Sequence, residues 1–524
     1  MPLFRTFPLF LVLAILSLTA CQNNAPISDN TLHYIPADAA GIMALRSGQW
    51  MDKAGFEQLQ ESELYKDFLE RIASQSSHLS KVLAQPEQAG IDLDRTTYIA
   101  VGELLPPQTD DAFAKGNMQL LLPLKDSETF GKLVREMNVL TIDQKETYQI
   151  AHFEGARLMW NQEVAILTPP VDATDHLLAA LEGRSKVENS VASQSDLGKC
   201  LSREADFSFW TSLDYLIGNK EIENLLAMAD LPPSALENNH LHHLIQFEPG
   251  EIVSETFYQI NPQLKRELDL FFRDELTTDF APYIPTEDLF GFMTVALDMR
   301  GMLQVLLERP QLSAPLNKLS GELQIAPKDL LRAFSGEMAL AVYLDDNKQQ
   351  PEGGLFAAQI RDQEPLNKLL DQLSKQDMIE VISEGIWKIK VPGLVQIGSP
   401  VNASKDPAPT EATYPYLLIK EDLLFITESQ ERLATIQAGG YPTNQHIASQ
   451  QFQQLSRHIF GGQLNLSQLL PSSDDGLGNP IESIQATSDR QKTEIKIKMT
   501  DKDSNSLRQL LELLRKNVEG EQMI

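Results

Sequence analysis

The sequence predicts an α+β fold of two tandem homologous units, each a mainly antiparallel sheet with helices packed on one face. Three observations predict it: landmarks that recur in the same order in both halves, helical periodicity after two matched aspartates, and short β segments that alternate apolar with polar residues. With 42% apolar residues among 524, the chain can build full cores but exceeds what one core usually covers.

The recurrence opens at Tyr34-Ile35-Pro36-Ala37-Asp38, which leads into Gly41-Ile42-Met43-Ala44-Leu45. Tyr283-Ile284-Pro285-Thr286-Glu287-Asp288 leads likewise into Gly291-Phe292-Met293-Thr294-Val295, an offset of 283 − 34 = 249. Tyr98-Ile99-Ala100-Val101 then answers to Leu340-Ala341-Val342-Tyr343, and Leu120 to Asp126 (LLLPLKD) to Phe356 to Asp362 (FAAQIRD). Val164 to Thr168 pairs with Leu423 to Thr427, Ala192-Ser193-Gln194 with Ala448-Ser449-Gln450, and Gly250 to Ile260 with Lys492 to Met499. The order holds while the offset drifts between about 236 and 259, as loop insertions in a duplicated unit would produce.

After Asp126, the residues Phe130, Leu133, Val134 and Met137 fall at i, i+3, i+4 and i+7. Leu366, Leu369, Leu370 and Leu373 repeat the pattern after Asp362. Each predicts an amphipathic helix whose aspartate caps the orphan amides of the first turn. Asn261-Pro262 starts a helix through Leu264, Leu268 and Phe271, and Leu507, Leu510, Leu511 and Leu514 line a last helix that ends near Gly520. In Thr493 to Met499 (TEIKIKM) one face is apolar and the other charged, the signature of an antiparallel sheet with one solvated face. Hairpin turns are expected at Glu154-Gly155 and at Lys420-Glu421-Asp422. The first unit is placed at 31–280 and the second at 281–524, with Gly398 to Thr413 (GSPVNASKDPAPTEAT) as a loop in the second.

The N-terminus carries an address. One charge, Arg5, precedes the apolar run Leu9 to Leu16 and then Leu18-Thr19-Ala20-Cys21. This apolar stretch is too short to span a bilayer and has the charge order of a signal peptide over residues 1–20. Leu-Thr-Ala-Cys resembles the lipobox of bacterial lipoproteins, which implies cleavage before Cys21 and lipidation of that cysteine. Gln22 stands where an aspartate would retain a lipoprotein in the inner membrane, so an outer-membrane anchor facing the periplasm is expected. Residues 21–30, polar to Asn30, read as a flexible tether.

Removing residues 1–20 removes one basic side chain, leaving 43 against 73 acidic ones and a formal charge of 43 − 73 = −30. Such a field repels nucleic acid and anionic headgroups, so membrane contact is expected through the lipid alone. Only Cys200 remains after Cys21; no internal disulfide can form, and Cys200 reads as a small buried hydrophobe.

No catalytic or cofactor motif stands out. His-Glu-x-x-His, Gly-x-Ser-x-Gly, Gly-x-Gly-x-x-Gly and the phosphate-cradling Gly-x-x-x-x-Gly-Lys are all absent, and no cofactor is expected. His240, His242 and His243 form the one histidine cluster; a loop is preferred to a zinc site there, because no further ligand stands at a completing distance in sequence. Asp345-Asp346-Asn347 lacks the glycine and glutamate of a calcium loop, and Asp92 with Asp94 or Asp474 with Asp475 are pairs that 73 acidic residues produce by chance. Trp50, Trp160, Trp210 and Trp387 sit at strand-like runs and read as core anchors.

Tyr34 to Ala40 (YIPADAA), Lys53-Ala54-Gly55-Phe56, Gly90-Ile91-Asp92-Leu93 before Tyr98, and Gly250-Glu251-Ile252-Val253 resemble an uncharacterised family of exported Bacteroidetes-type lipoproteins, domain of unknown function 4836. The resemblance implies a compatible layout and compartment and carries no catalytic residues. Two functional readings are open: a non-enzymatic binding or scaffold component of the cell envelope with a protein partner, or a carrier or hydrolase for a small or lipidic ligand held between the two units.

Overall fold

The computed structural model describes residues 30–521 apart from 38, 63–64, 68, 71–72, 74–85, 103–117, 138, 154–155, 170–174, 183–189, 192–196, 198–199, 202, 204, 218, 229–230, 310–320, 322–325, 345–350, 391–413 and 469–479. The expected signal peptide (1–20), Cys21, nearly all of the expected tether, the turn expected at 154–155, Asp345 to Asn347, the stretch 398–413 expected as a loop, and Asp474-Asp475 lie outside the described residues. The chain is α+β, with a large antiparallel β component. Two compact units divide it, and they interleave in sequence. One takes residues up to 217, 237–259 and 501–524; the other takes 218–236 and 260–500. The helix Ser506–Glu521 therefore belongs to the first unit, and the helix Pro262–Asp269 to the second.

The first unit holds β1 (Gly41–Leu45), β2 (Thr97–Val101), β3 (Met118–Pro123), β4 (Thr141–Gln144), β5 (Gln149–Phe153), β6 (Ala156–Trp160), β7 (Val164–Thr168), β8 (Phe207–Ser212), β9 (His240–Glu248) and β10 (Glu251–Gln259). Their antiparallel pairings give the order β4-β5-β6-β7-β3-β2-β1-β8-β9-β10. The helix Ser127–Glu136 starts where expected: Asp126 Oδ1 accepts from the amides of Glu128 and Thr129, each at 3.0 Å. Gly90, at φ +73°, accepts the amides of Lys125 and Asp126 just ahead of that helix. A Cβ there would stand 2.2 Å from the Asp126 carbonyl oxygen, so only glycine permits this approach.

Helices on one face were the expectation, and the structure differs. Successive residues of the central strands enter two different cores. Leu120, Leu122, Leu158, Trp160, Ala165 and Leu167 pack with Phe130 and Val134 of the helix Ser127–Glu136. Leu121, Met159, Val164 and Ile166 pack with Leu177 and Leu181 of the helix Asp175–Leu181. The physical reason is that the runs Leu120-Leu121-Leu122 and Val164 to Leu167 are apolar without alternation, and a strand that is apolar on both faces must be covered on both. Trp160 is fully buried with its ring edge-on to Phe130, 6.1 Å between centroids.

The second unit holds β11 (Leu289–Ala296), β12 (Phe334–Leu344), β13 (Pro351–Ile360), β14 (Ile379–Ser383), β15 (Ile386–Ile389), β16 (Tyr416–Lys420), β17 (Leu423–Thr427), β18 (Phe460–Asn465), β19 (Ile481–Ser488) and β20 (Lys492–Met499). Their order is β14-β15-β16-β17-β13-β12-β11-β18-β19-β20, again antiparallel throughout. Asp362 caps the helix Gln363–Lys375 by accepting from the Glu364 amide. This sheet too is covered on both faces. Leu366 and Leu370 meet Leu417 and Leu424 on one side, while Leu433, Ile436 and Phe452 meet Leu418 and Phe425 on the other. One buried carboxylate organises the start of this unit. Glu337 of β12, fully buried, accepts from the amides of Thr277 and Thr278 and pairs with Arg273 at 2.6 Å.

Candidate functional site

The histidine cluster is a strand, not a loop. Asn238, at φ 58°, makes the turn, and the residues from His240 onward are β9, paired with β8 and β10. The alternation of His240 and His242 about Leu241 already has a strand's period, but the turn-forming Asn238-Asn239 ahead of it points to a loop. On a strand His240 and His242 share one face and His243 takes the other, so the three rings cannot converge on one ion.

Each ring has its own neighbours. His242 is buried, with Nε2 2.9 Å from Ser208 Oγ and its ring stacked on Phe257 at 6.2 Å. The Arg203 guanidinium lies over the same Phe257 ring, 4.3 Å from its centroid. Burial, with the charges of Arg203 and His243, pushes the His242 imidazole down to about 4. His240 rests against Trp210 at 5.1 Å, and burial lowers its pKa although Asp214 works the other way. Nδ1 of His243 meets Thr256 Oγ1 at 2.9 Å, and burial lowers this imidazole as well. The trio is thus held neutral in packing roles. Among the described residues, no group of three or more His, Cys, Asp or Glu side chains could hold a metal ion.

The other sequence candidates fall in structural places. The Asp94 amide donates to Asp92 Oδ1 at 3.2 Å, a local turn rather than an acid and base pair. Cys200 is half-buried. Trp160 and Trp210 are core residues, and Trp387 packs at the edge of a core. Trp50 is half-buried in the helix Ser47–Ala54.

Two features went unread in the sequence. The first is a pair of sheet edges. Among the described residues β4 pairs with β5 alone and β14 with β15 alone. Leu140, directly before β4, is 69% exposed, and Val381 and Ile382 of β14 are 59% and 53% exposed. Large apolar side chains beside unpaired backbone donors and acceptors make a template for another strand.

The second is a cleft of 420 Å³ in the first unit. One wall is the helices Ser47–Ala54 and Phe56–Glu61, joined at Gly55, with Gln58, Leu59, Glu61 and Ser62 facing the space. The other wall is Arg508, Leu511, Glu512 and Arg515, one face of the helix Ser506–Glu521 at spacings of three, four and seven residues. Gly55 and Arg508 are distant in sequence, and no local pattern links them.

Two units, each with ten antiparallel strands covered on both faces, place the chain in the α+β class. The chain belongs to a family described as a domain of unknown function, DUF4836, which matches residues 32–394. No curated protein matches it. Among solved structures, one crystal form of TP0453 is 10% identical, with 48% of this chain and 90% of that chain covered at a TM-score of 0.27. A second crystal form is 9% identical, covering 47% and 86% at a TM-score of 0.25.

Proposed function

We propose that this chain is a lipid-anchored, extracytoplasmic lipoprotein of the bacterial envelope that acts without catalysis, by binding an extended segment of another envelope protein. The anchor reading rests on the Leu18-Thr19-Ala20-Cys21 lipobox after a short apolar run, with Gln22 favouring the outer membrane. The binding reading is carried by the exposed apolar residues at the free edges, Leu140 beside β4 and Val381 with Ile382 on β14. Natural proteins usually protect sheet edges with charge, so exposed branched residues at both edges favour strand addition by a partner.

The two edges also support a tandem duplication. β4 and β14 hold the same place in identical strand orders, each unit contributes ten strands, and Asp126 and Asp362 cap equivalent helices after β3 and β13. We therefore read 31–280 and 281–524 as copies of one unit, each offering one edge.

The test is crosslinking in intact cells with an affinity-tagged, lipidated copy, followed by mass spectrometry, alongside the double variant Val381→Lys, Ile382→Lys. Stability should stay within about 0.5 kcal/mol of wild type, because both side chains are exposed. A stoichiometric envelope partner that is lost in the variant supports the reading. Recovery of the protein alone, or a partner retained by the variant, overturns it.

A further inference from the structure

The cleft beside Gly55 contains an arginine without a counter-ion. Arg508 is half-buried, its Nε is buried without an acceptor, and among the described residues it makes no hydrogen bond or ion pair. This is unusual in a chain with 73 acidic side chains. Arg273, Arg309 and Arg490 each meet a carboxylate, at 2.6, 2.7 and 2.9 Å. Glu512 stands one helical turn from Arg508 and Glu61 lines the same cleft, yet both carboxylates are exposed and neither reaches it.

The guanidinium is also held in place. It lies against Gly55, where a Cβ would stand 2.6 Å from Arg508 Nε and 3.0 Å from Cζ. Gly55 has φ +66°, so one glycine provides both the turn between two helices and the space for this side chain. A desolvated guanidinium donor without an acceptor costs free energy, and an oxyanion supplies what it lacks. Arg515, two turns along the same helix face, adds positive charge to the cleft, and the half-buried Leu59 and Leu511 give it an apolar wall.

We propose that this cleft is a binding site for a small phosphate ester, its phosphate at Arg508 and its short apolar part against Leu59 and Leu511. A phosphate ester fits better than inorganic phosphate because a volume of 420 Å³ is in the range of small-molecule pockets and part of its lining is apolar. The site lies within the first unit and does not depend on the sheet-edge reading. The phosphate can come from a soluble ester or from a lipid headgroup.

The experiment is calorimetric titration of the full mature chain with n-butyl phosphate and, separately, with short-chain dihexanoyl phosphatidic acid below its micelle concentration, with butanol as the uncharged control. The expected result is saturable binding of one or both esters and none of butanol. Binding should weaken roughly tenfold or more in Arg508→Gln and be partly retained in Arg508→Lys, which keeps the charge but not the fork. Gln58→Glu, at an exposed lining position that leaves packing intact, should weaken it several-fold and decides the matter if Arg508→Gln does not fold. Preference for butyl phosphate identifies a soluble ester, and preference for phosphatidic acid a headgroup. Failure of both esters to saturate at roughly 10 mM, or wild-type affinity in both Arg508→Gln and Gln58→Glu, overturns the proposal.

Discussion

Acidifying this protein should discharge a stability term stored in one imidazole. His242 is buried between Ser208 and Phe257, and its folded pKa of about 4 lies below the usual 6.5. The fold favours the neutral ring, so the unfolded chain takes the proton first. The contribution is complete above pH 6.5, falls as pH drops from 6.5 towards 4, and is fully lost below that. The shift from 6.5 to about 4 corresponds to roughly 3 kcal/mol, of which linkage places about 2 kcal/mol between pH 7 and pH 5. The perturbation is His242→Leu, with urea unfolding followed from pH 7 to pH 4.5 by tryptophan fluorescence. Trp210, opposite His242 across β8 and β9, reports on the right place. His240, His243 and the buried carboxylates titrate in both proteins and largely cancel in the difference. The variant should be less stable at pH 7 and fall less steeply with acid, so that the gap narrows by about 2 kcal/mol at pH 5. A gap constant across the range would refute the neutral, desolvated assignment.

Two further perturbations test the cores and the buried carboxylate. Phe130→Ala should cost about 3 to 5 kcal/mol, since Phe130 is 2% exposed and wedged against Trp160; thermal unfolding of the first unit checks this, and a loss under about 1 kcal/mol would contradict the packing described. Burial raises the pKa of Glu337, but hydrogen bonds from Thr278 and Thr277 and the charge of Arg273 outweigh it and hold the carboxyl below its usual range. Its contribution is therefore present above the usual carboxylate range and lost as pH falls through the folded value. Glu337→Gln should destabilise the second unit by on the order of 3 kcal/mol at neutral pH, with the gap from wild type closing in acid; denaturation monitored through Trp387 reads it.

Much of the fold was legible because its signals are local. Asp126 and Asp362 announce their helices by position and chemistry, and β1, β2, β3, β7 and β10 coincide with the landmarks of the first half. The alternation of Thr493 to Met499 survives as β20, where Lys492 and Lys496 both pair with Glu494. Two-faced burial is not legible in Thr493 to Met499, whose alternation describes one strand and not the central strands. Leu120-Leu121-Leu122 and Val164 to Leu167 already said otherwise: a continuous apolar run in an antiparallel sheet has no face to give to water. The interleaving of the compact units left no local signal, since a helix carries its periodicity whichever sheet it packs against.

The candidate site was illegible for a related reason. A metal or catalytic motif concentrates its chemistry within a few residues, which is why His240, His242 and His243 drew attention and why they mislead. Their strand puts neighbouring rings on opposite faces, and proximity in sequence becomes separation in space. Arg508 shows the converse. In sequence it is one of 44 basic residues, unremarked beside Leu507 and Leu510. Only the fold brings it against Gly55 and leaves its Nε without an acceptor. In an acidic chain the informative residue is not the carboxylate, which chance supplies everywhere, but a cation whose buried Nε meets no carboxylate among the described residues.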